Sequence, residues 1–270
     1  MAASAPQSPK RPDAETRVKA HDLIKSVTRR EVGEVSKDAA DMLATREKAI
    51  EALQAVMDEE KATHHEYVMD AIKSMRNYTK DLDVQVKGTY TMAYLAISNR
   101  QALLELGGHK AVIAAMQAHP LVERIQLEGC ECLGRLAVEE DEAVHIIEAG
   151  GLQAVMVAMR NFEEHLRVSE ESLNALKSLC EHNAADVVRW GGLEQVIRIM
   201  GQDIKASWVQ HWGCRCLYYL AAHDADAVYK VGGFETIRSC RAMHLMEQSV
   251  RESADDALAF DPEKLMEVEW

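Results

Sequence analysis

The stretch HIIEAGGLQAVMVAM, His145 to Met159, sets two adjacent glycines between two apolar patterns of helical spacing. A loop built to cradle phosphate would follow a strand and carry a Gly-x-Gly spacing or a Lys-Ser/Thr pair after the glycines. None of these is present. A joint between two helices fits better. A glycine just past a helix end enters the left-handed region without a Cβ penalty, and a second one lets two backbones meet closely. The pair recurs at Gly107-Gly108, Gly150-Gly151, Gly191-Gly192 and Gly232-Gly233, at spacings of 43, 41 and 41 residues. A fixed period of this size marks structural units stacked side by side.

The residues around the glycines keep the same register. Met116, Met159 and Met200 each stand eight places after the second glycine, and Met75 lies 41 before Met116. The segments VQVKGTYTMAYLA, IQLEGCECLGRLA, VSEESLNALKSLC and VQHWGCRCLYYLA align Met92, Leu133, Leu176 and Leu217 in one column and Leu95, Leu136, Leu179 and Leu220 in a second. The two columns are three residues apart, the spacing of a buried helical stripe. Each unit therefore reads as three helices: a short one ending at the glycine pair, a second starting just past it, and a longer third carrying the leucines. The units run over about 66–107, 108–150, 151–191 and 192–232. A partial fifth, 233–261, keeps Val250, Ala254 and Leu258 in register and reads as a terminal cap. Residues 15–65 read as a helical cap before the first unit, with Ile50, Leu53 and Met57 as its stripe, residues 1–14 as a disordered leader, and 262–270 as an acidic tail.

Composition agrees with an all-α fold, since Ala, Leu, Met and Glu abound while aromatic residues are 5% of the chain. The net charge of −13 sets aside a protein that grips a nucleic-acid backbone. Charge is uneven, with seven Lys/Arg against three acids in residues 1–30 and seven acids against one Lys in residues 252–270. No apolar run reaches the roughly 18 residues that span a bilayer. The opening residues lack a secretory signal pattern, and Asp13, Glu15 and Asp22 interrupt any mitochondrial presequence. Six cysteines without a secretory signal indicate reduced thiols, so a cytoplasmic location is expected, with a mitochondrial or ciliary complex as the alternative.

On the residues EAGGLQAVMVAM followed by VQ..GC.CL..LA, best seen in the second and fourth units, the chain resembles the armadillo-repeat family over about Glu66 to Phe260. The resemblance implies a right-handed α-solenoid of three-helix repeats whose third helices line a concave groove. It further implies a non-catalytic scaffold that binds an extended segment or helix of another protein, with no cofactor. Residues at i, i+4, i+7 and i+11 of each third helix would line that groove. They are Asp83, Lys87, Tyr90 and Tyr94; Arg124, Glu128, Glu131 and Arg135; Arg167, Glu171, Asn174 and Ser178; and Trp208, Trp212, Arg215 and Tyr219. Large aromatics with Arg are the residue types that anchor interfaces, which singles out the fourth set. The family's peptide binders place an Asn in the column held here by Tyr94, Arg135, Ser178 and Tyr219, so nuclear-import-signal binding is not implied. The pattern looks closer to the divergent arrays of large leucine-rich-repeat kinases and of vacuolar or ciliary scaffolds. A permanent subunit of a large organellar or cytoskeletal assembly, and a regulatory subunit of an enzyme, are the rival readings.

Cys130-x-Cys132 and Cys214-x-Cys216 resemble metal-ligand pairs, but the same columns hold Leu173 and Ala175 in the third unit. Positions that accept Leu and Ala are core positions, where a free Cys acts as a small hydrophobe. No nucleophile elbow, Walker pattern or paired-carboxylate motif is present. His64-His65 has no ligand-like spacing around it and reads as a helix-end surface feature.

Overall fold

A computed structural model describes residues 37–55 and 65–263. The chain divides into two compact units, residues 1–45 and 46–270, and the repeats lie in the second. The expected leader, the first part of the N-terminal cap and most of the acidic tail fall outside the described residues, as does Met57. Every regular element among the described residues is helical: α1 (Lys37–Ala55), α2 (His65–Asn77), α3 (Leu82–Leu95), α4 (Arg100–Leu106), α5 (Gly108–Ala118), α6 (Glu123–Leu136), α7 (Glu140–Glu148), α8 (Gly151–Asn161), α9 (Leu166–Arg189), α10 (Gly192–Gln202), α11 (Ser207–Lys230), α12 (Gly233–Met243) and α13 (Gln248–Ala257), closed by a 3-10 turn (Leu258–Phe260).

The glycine pair does two separate jobs. Gly107, Gly150, Gly191 and Gly232 have φ between 76° and 90°, the left-handed region that lets the chain turn from one helix into the next. The second glycine needs space instead. A Cβ on Gly151 would lie 2.4 Å from Ile146 Cγ2 and 2.8 Å from the Ile146 carbonyl oxygen. The opening stretch is therefore a helix–helix joint.

The third helices α3, α6, α9, α11 and α13 pack side by side in chain order, and the second helices α2, α5, α8, α10 and α12 form a parallel layer. Both leucine columns lie between them, all eight residues at most 1% exposed. Each such side chain stabilises the array by roughly 1.5–3 kcal/mol through its removal from water. Ile50 and Leu53 are buried at the end of α1. These layers form an all-α solenoid.

Each second helix ends on a carbonyl that needs a donor. Gln126 Nε2 supplies one to Met116 at 2.9 Å and to His119 at 3.0 Å, Gln85 does so to Met75 and Tyr78 (2.8 Å each), and Gln210 to Met200 (2.7 Å) and Asp203 (3.1 Å). In the third unit this column holds Ser169, which is too short to reach Met159. Gln195 from α10 donates to the Met159 carbonyl instead, at 3.3 Å. One departure in the repeat is thus answered by a residue in the next unit.

The third helix of units three and four runs on into the following first helix, and only a single residue breaks the pair. Asn183 (φ −151°, ψ 65°) interrupts α9 and Asp224 (φ −152°, ψ 89°) interrupts α11. Each caps the short helix after it, Asn183 Oδ1 accepting from Asp186 N at 3.1 Å and Asp224 Oδ1 from Ala227 N at 2.9 Å. In the last unit the methionine column ends in Arg241, paired with Asp255, and Arg238 pairs with Asp261. A charged pair thus stands where the earlier units bury a methionine.

Candidate partner-binding face

The predicted row comes together on the outer face of the third helices, because i, i+4, i+7 and i+11 share one side of a helix and the helices lie parallel. It is less open than the sequence implied. Glu128 and Ser178 are buried, Trp208 is 52% exposed, and Lys87, Tyr90, Tyr94, Glu131, Arg135, Glu171, Asn174, Trp212, Arg215 and Tyr219 are half-buried. Glu128 and Ser178 support the face from beneath and do not present a contact surface.

The charges of the second and third units are already paired. Arg124 bridges to Glu128 at 2.6 Å and lies 5.3 Å over the Tyr90 ring. Burial pushes Glu128 up to about 7, with Arg124 opposing the shift and Glu131 adding to it. Glu131 pairs with Arg135, whose other amine donates to the Ala93 carbonyl of α3 at 2.8 Å and ties two units together. Arg167 reaches Glu170 and Glu171 at 3.9 and 4.0 Å. Burial first, and Glu131 second, raise the pKa of Glu171.

The first unit differs. Arg46 holds Asp81 and Asp83 at 2.6 Å each, so both carboxylates are occupied. The Lys87 Nζ is buried with no hydrogen-bond partner, and burial lowers its pKa.

The fourth unit carries the aromatic cluster. The Trp208 and Trp212 rings stack 6.0 Å apart at an interplanar angle of 23°, and His211 stands edge-on to Trp212 at 4.4 Å. His211 Nδ1 lies 2.9 Å from the Ser253 hydroxyl and 3.1 Å from the Ser249 carbonyl oxygen, fixing the cluster against the fifth unit. Arg215 donates to Tyr219 Oη at 3.1 Å, faces the Tyr218 and Tyr219 rings at 5.1 and 5.3 Å, and reaches Asp256 at 3.4 Å. Trp212 and Tyr219 pack partly against the core, which leaves Trp208 as the freest large apolar group of the row.

All six cysteines are free and buried. Burial pushes Cys132 up to about 12 and Cys130 higher still, and a hydrogen bond with Cys240 together with burial raises Cys214. The Cys-x-Cys pairs are core groups in this setting, with Cys216 directed at the Leu173 carbonyl at 3.4 Å. Among the described residues no group of three or more His, Cys, Asp or Glu side chains is placed to hold a metal ion. A thiol reagent at pH 8 is expected to label the native protein only slowly and to label all six thiols at once in denaturant. Fast stoichiometric labelling of Cys130 or Cys132 in the folded protein would contradict the core assignment.

No single helix among the described residues is long and apolar enough to cross a membrane. The pair α7 and α8 meets that test only jointly, and it bends by 73° at the glycine joint.

A family model described as the LRRK2 ARM repeat matches residues 42–230, well over half of the chain. Armadillo repeat-containing protein 6 of Homo sapiens is 23% identical over 178 residues, and that of Pongo abelii 24%, covering 61% of this chain. The chain spans about a third (35%) of the length of these curated relatives. Among solved structures, the crystal structure of an engineered protein from the Northeast Structural Genomics Consortium superposes with a TM-score of 0.60 at 17% identity, covering 79% of this chain and 96% of that one. That likeness concerns the fold alone.

Proposed function

Because the chain belongs to the LRRK2 ARM-repeat family, we propose that it is a non-catalytic scaffold that holds a segment of another protein along its third-helix face. The observation that carries this reading is the stacked Trp208–Trp212 pair, with Trp208 half out in solvent and its neighbours locked in place. Hydrophobic anchors of this size dominate interface energies when their surroundings are rigid. The face offers such an anchor beside ion pairs that set orientation and register. The six free, buried thiols support a reducing, cytosolic setting.

Trp208 is the residue to test, since its ring does not belong to the core. Trp208→Ala is expected to weaken binding of a co-purifying partner by about 2 kcal/mol or more, roughly thirtyfold, while the circular dichroism spectrum and melting temperature stay within error of the parent. Undiminished capture of the same partner by the variant would remove the aromatic anchor from the account.

A further inference from the structure

Among the described residues of the third-helix face, Lys87 stands out as a cation with a buried, unpaired ammonium. Among the described residues, the other cations along this face are paired: Arg46 with Asp81 and Asp83, Arg124 with Glu128, Arg135 with Glu131, Arg167 with Glu170 and Glu171, Lys177 with Glu181, and Arg215 with Asp256. The Lys87 Nζ has no hydrogen-bond partner and is shielded from water. The carboxylates that act on it electrostatically, Asp83 and Asp81, are both held by Arg46. An ammonium in that position is unfavourable until an anion reaches it. Tyr90 and Tyr94, at i+3 and i+7 on the same helix side, are both half-buried, and each carries a phenol that can donate to an oxygen.

We propose that this end of the face receives one aspartate or glutamate side chain of the bound segment, held by Lys87 and flanked by Tyr90 and Tyr94. The inference rests on the reading of the third-helix face as the binding surface. The flexible stem of lysine lets the ammonium swing out to meet a carboxylate that arrives from solvent. Farther along, the face presents Glu131 and Glu171, both half-buried. Further acids placed along the ligand would meet like charge there. The selected segment therefore carries an isolated acid at the first unit and apolar side chains toward Trp208, which fixes its direction along the array.

Panning a random dodecapeptide library on the full chain tests this. The expected peptides share one Asp or Glu at a constant distance from an apolar or aromatic residue. For a synthetic peptide of the enriched sequence, Glu→Gln in the peptide and Lys87→Met in the protein should each weaken binding roughly tenfold, and the two changes together should cost no more than either alone. Lys87→Met should melt at or above the parent's temperature, because the amine gives up no partner in the free protein. Enriched peptides without an acid, unchanged affinity for Lys87→Met, fully additive losses, or a marked drop in its melting temperature would each overturn the Lys87 assignment. Insensitivity of the same peptides to Trp208→Ala would instead overturn the binding face itself, and a library that yields no binder would count against both.

Discussion

Gly151→Ala is expected to destabilise the array by about 3 kcal/mol or more, although it adds one methyl group. The new Cβ would sit 2.4 Å from Ile146 Cγ2 and 2.8 Å from the Ile146 carbonyl oxygen. The side-chain atom can rotate away. The carbonyl cannot, because it belongs to the last turn of α7, and moving it shifts α7 against α8. The three homologous positions have the same geometry, with Gly192 and Gly233 placing a Cβ 2.9 and 3.0 Å from a carbonyl oxygen and Gly108 at 3.2 Å. Gly201 is the internal control. It lies on α10, and a methyl group there would meet no heavy atom within 4 Å, so Gly201→Ala should be neutral or stabilising by up to about 1 kcal/mol. Urea unfolding of the two variants measures the difference, and equal midpoints would show that the joints do not set the stacking.

The second large effect concerns His109, whose side chain stands where the later units have Leu152, Leu193 and Phe234. It is 4% exposed, and neither ring nitrogen has a partner. Burial first, then Lys110, His145 and Arg76, bring its pKa down from 6.5 to about 4. The sign follows from linkage. The folded state disfavours the imidazolium, so stability is full above the unfolded value near 6.5 and is lost as the pH falls from there toward 4. The loss amounts to a few kcal/mol, on the order of 3, for a shift of this size. His109→Leu restores the core residue of the other units. It should raise stability at pH 7 by about 1–3 kcal/mol and flatten the profile between pH 6.5 and 4. Urea midpoints taken across that range decide the matter, and an unaltered acid slope in the variant would assign the pH dependence to other groups.

The fold was legible because its two signals are rigid in sequence. A left-handed residue followed by a close approach requires two glycines, and a stripe shared by stacked helices requires leucines at one period. The site was legible only as a row. Sequence spacing places Glu128 and Ser178 beside Glu131 and Arg135, but how far each side chain sinks depends on the neighbouring unit, and both are buried. The isolation of Lys87 depends on Arg46, which claims Asp81 and Asp83 from 35 and 37 residues away. Three features could have been read. Asp256 follows Arg215 by one period and pairs with it, and the Gln column in the VQ strings marks the donors that close each second helix. His109 was likewise visible as a polar residue in an apolar column once the units were aligned.

Site-specific photo-crosslinking tests the central claim most directly. A benzophenone amino acid is placed in turn at Tyr94, Trp208 and Tyr219 on the third-helix face, and at Arg160, Glu194 and Glu235, which are exposed on the second helices. With the co-purified partner bound, the three third-helix positions should give crosslinked product and the three second-helix positions none. Product confined to positions 160, 194 and 235 would place the partner on the opposite layer and contradict the account.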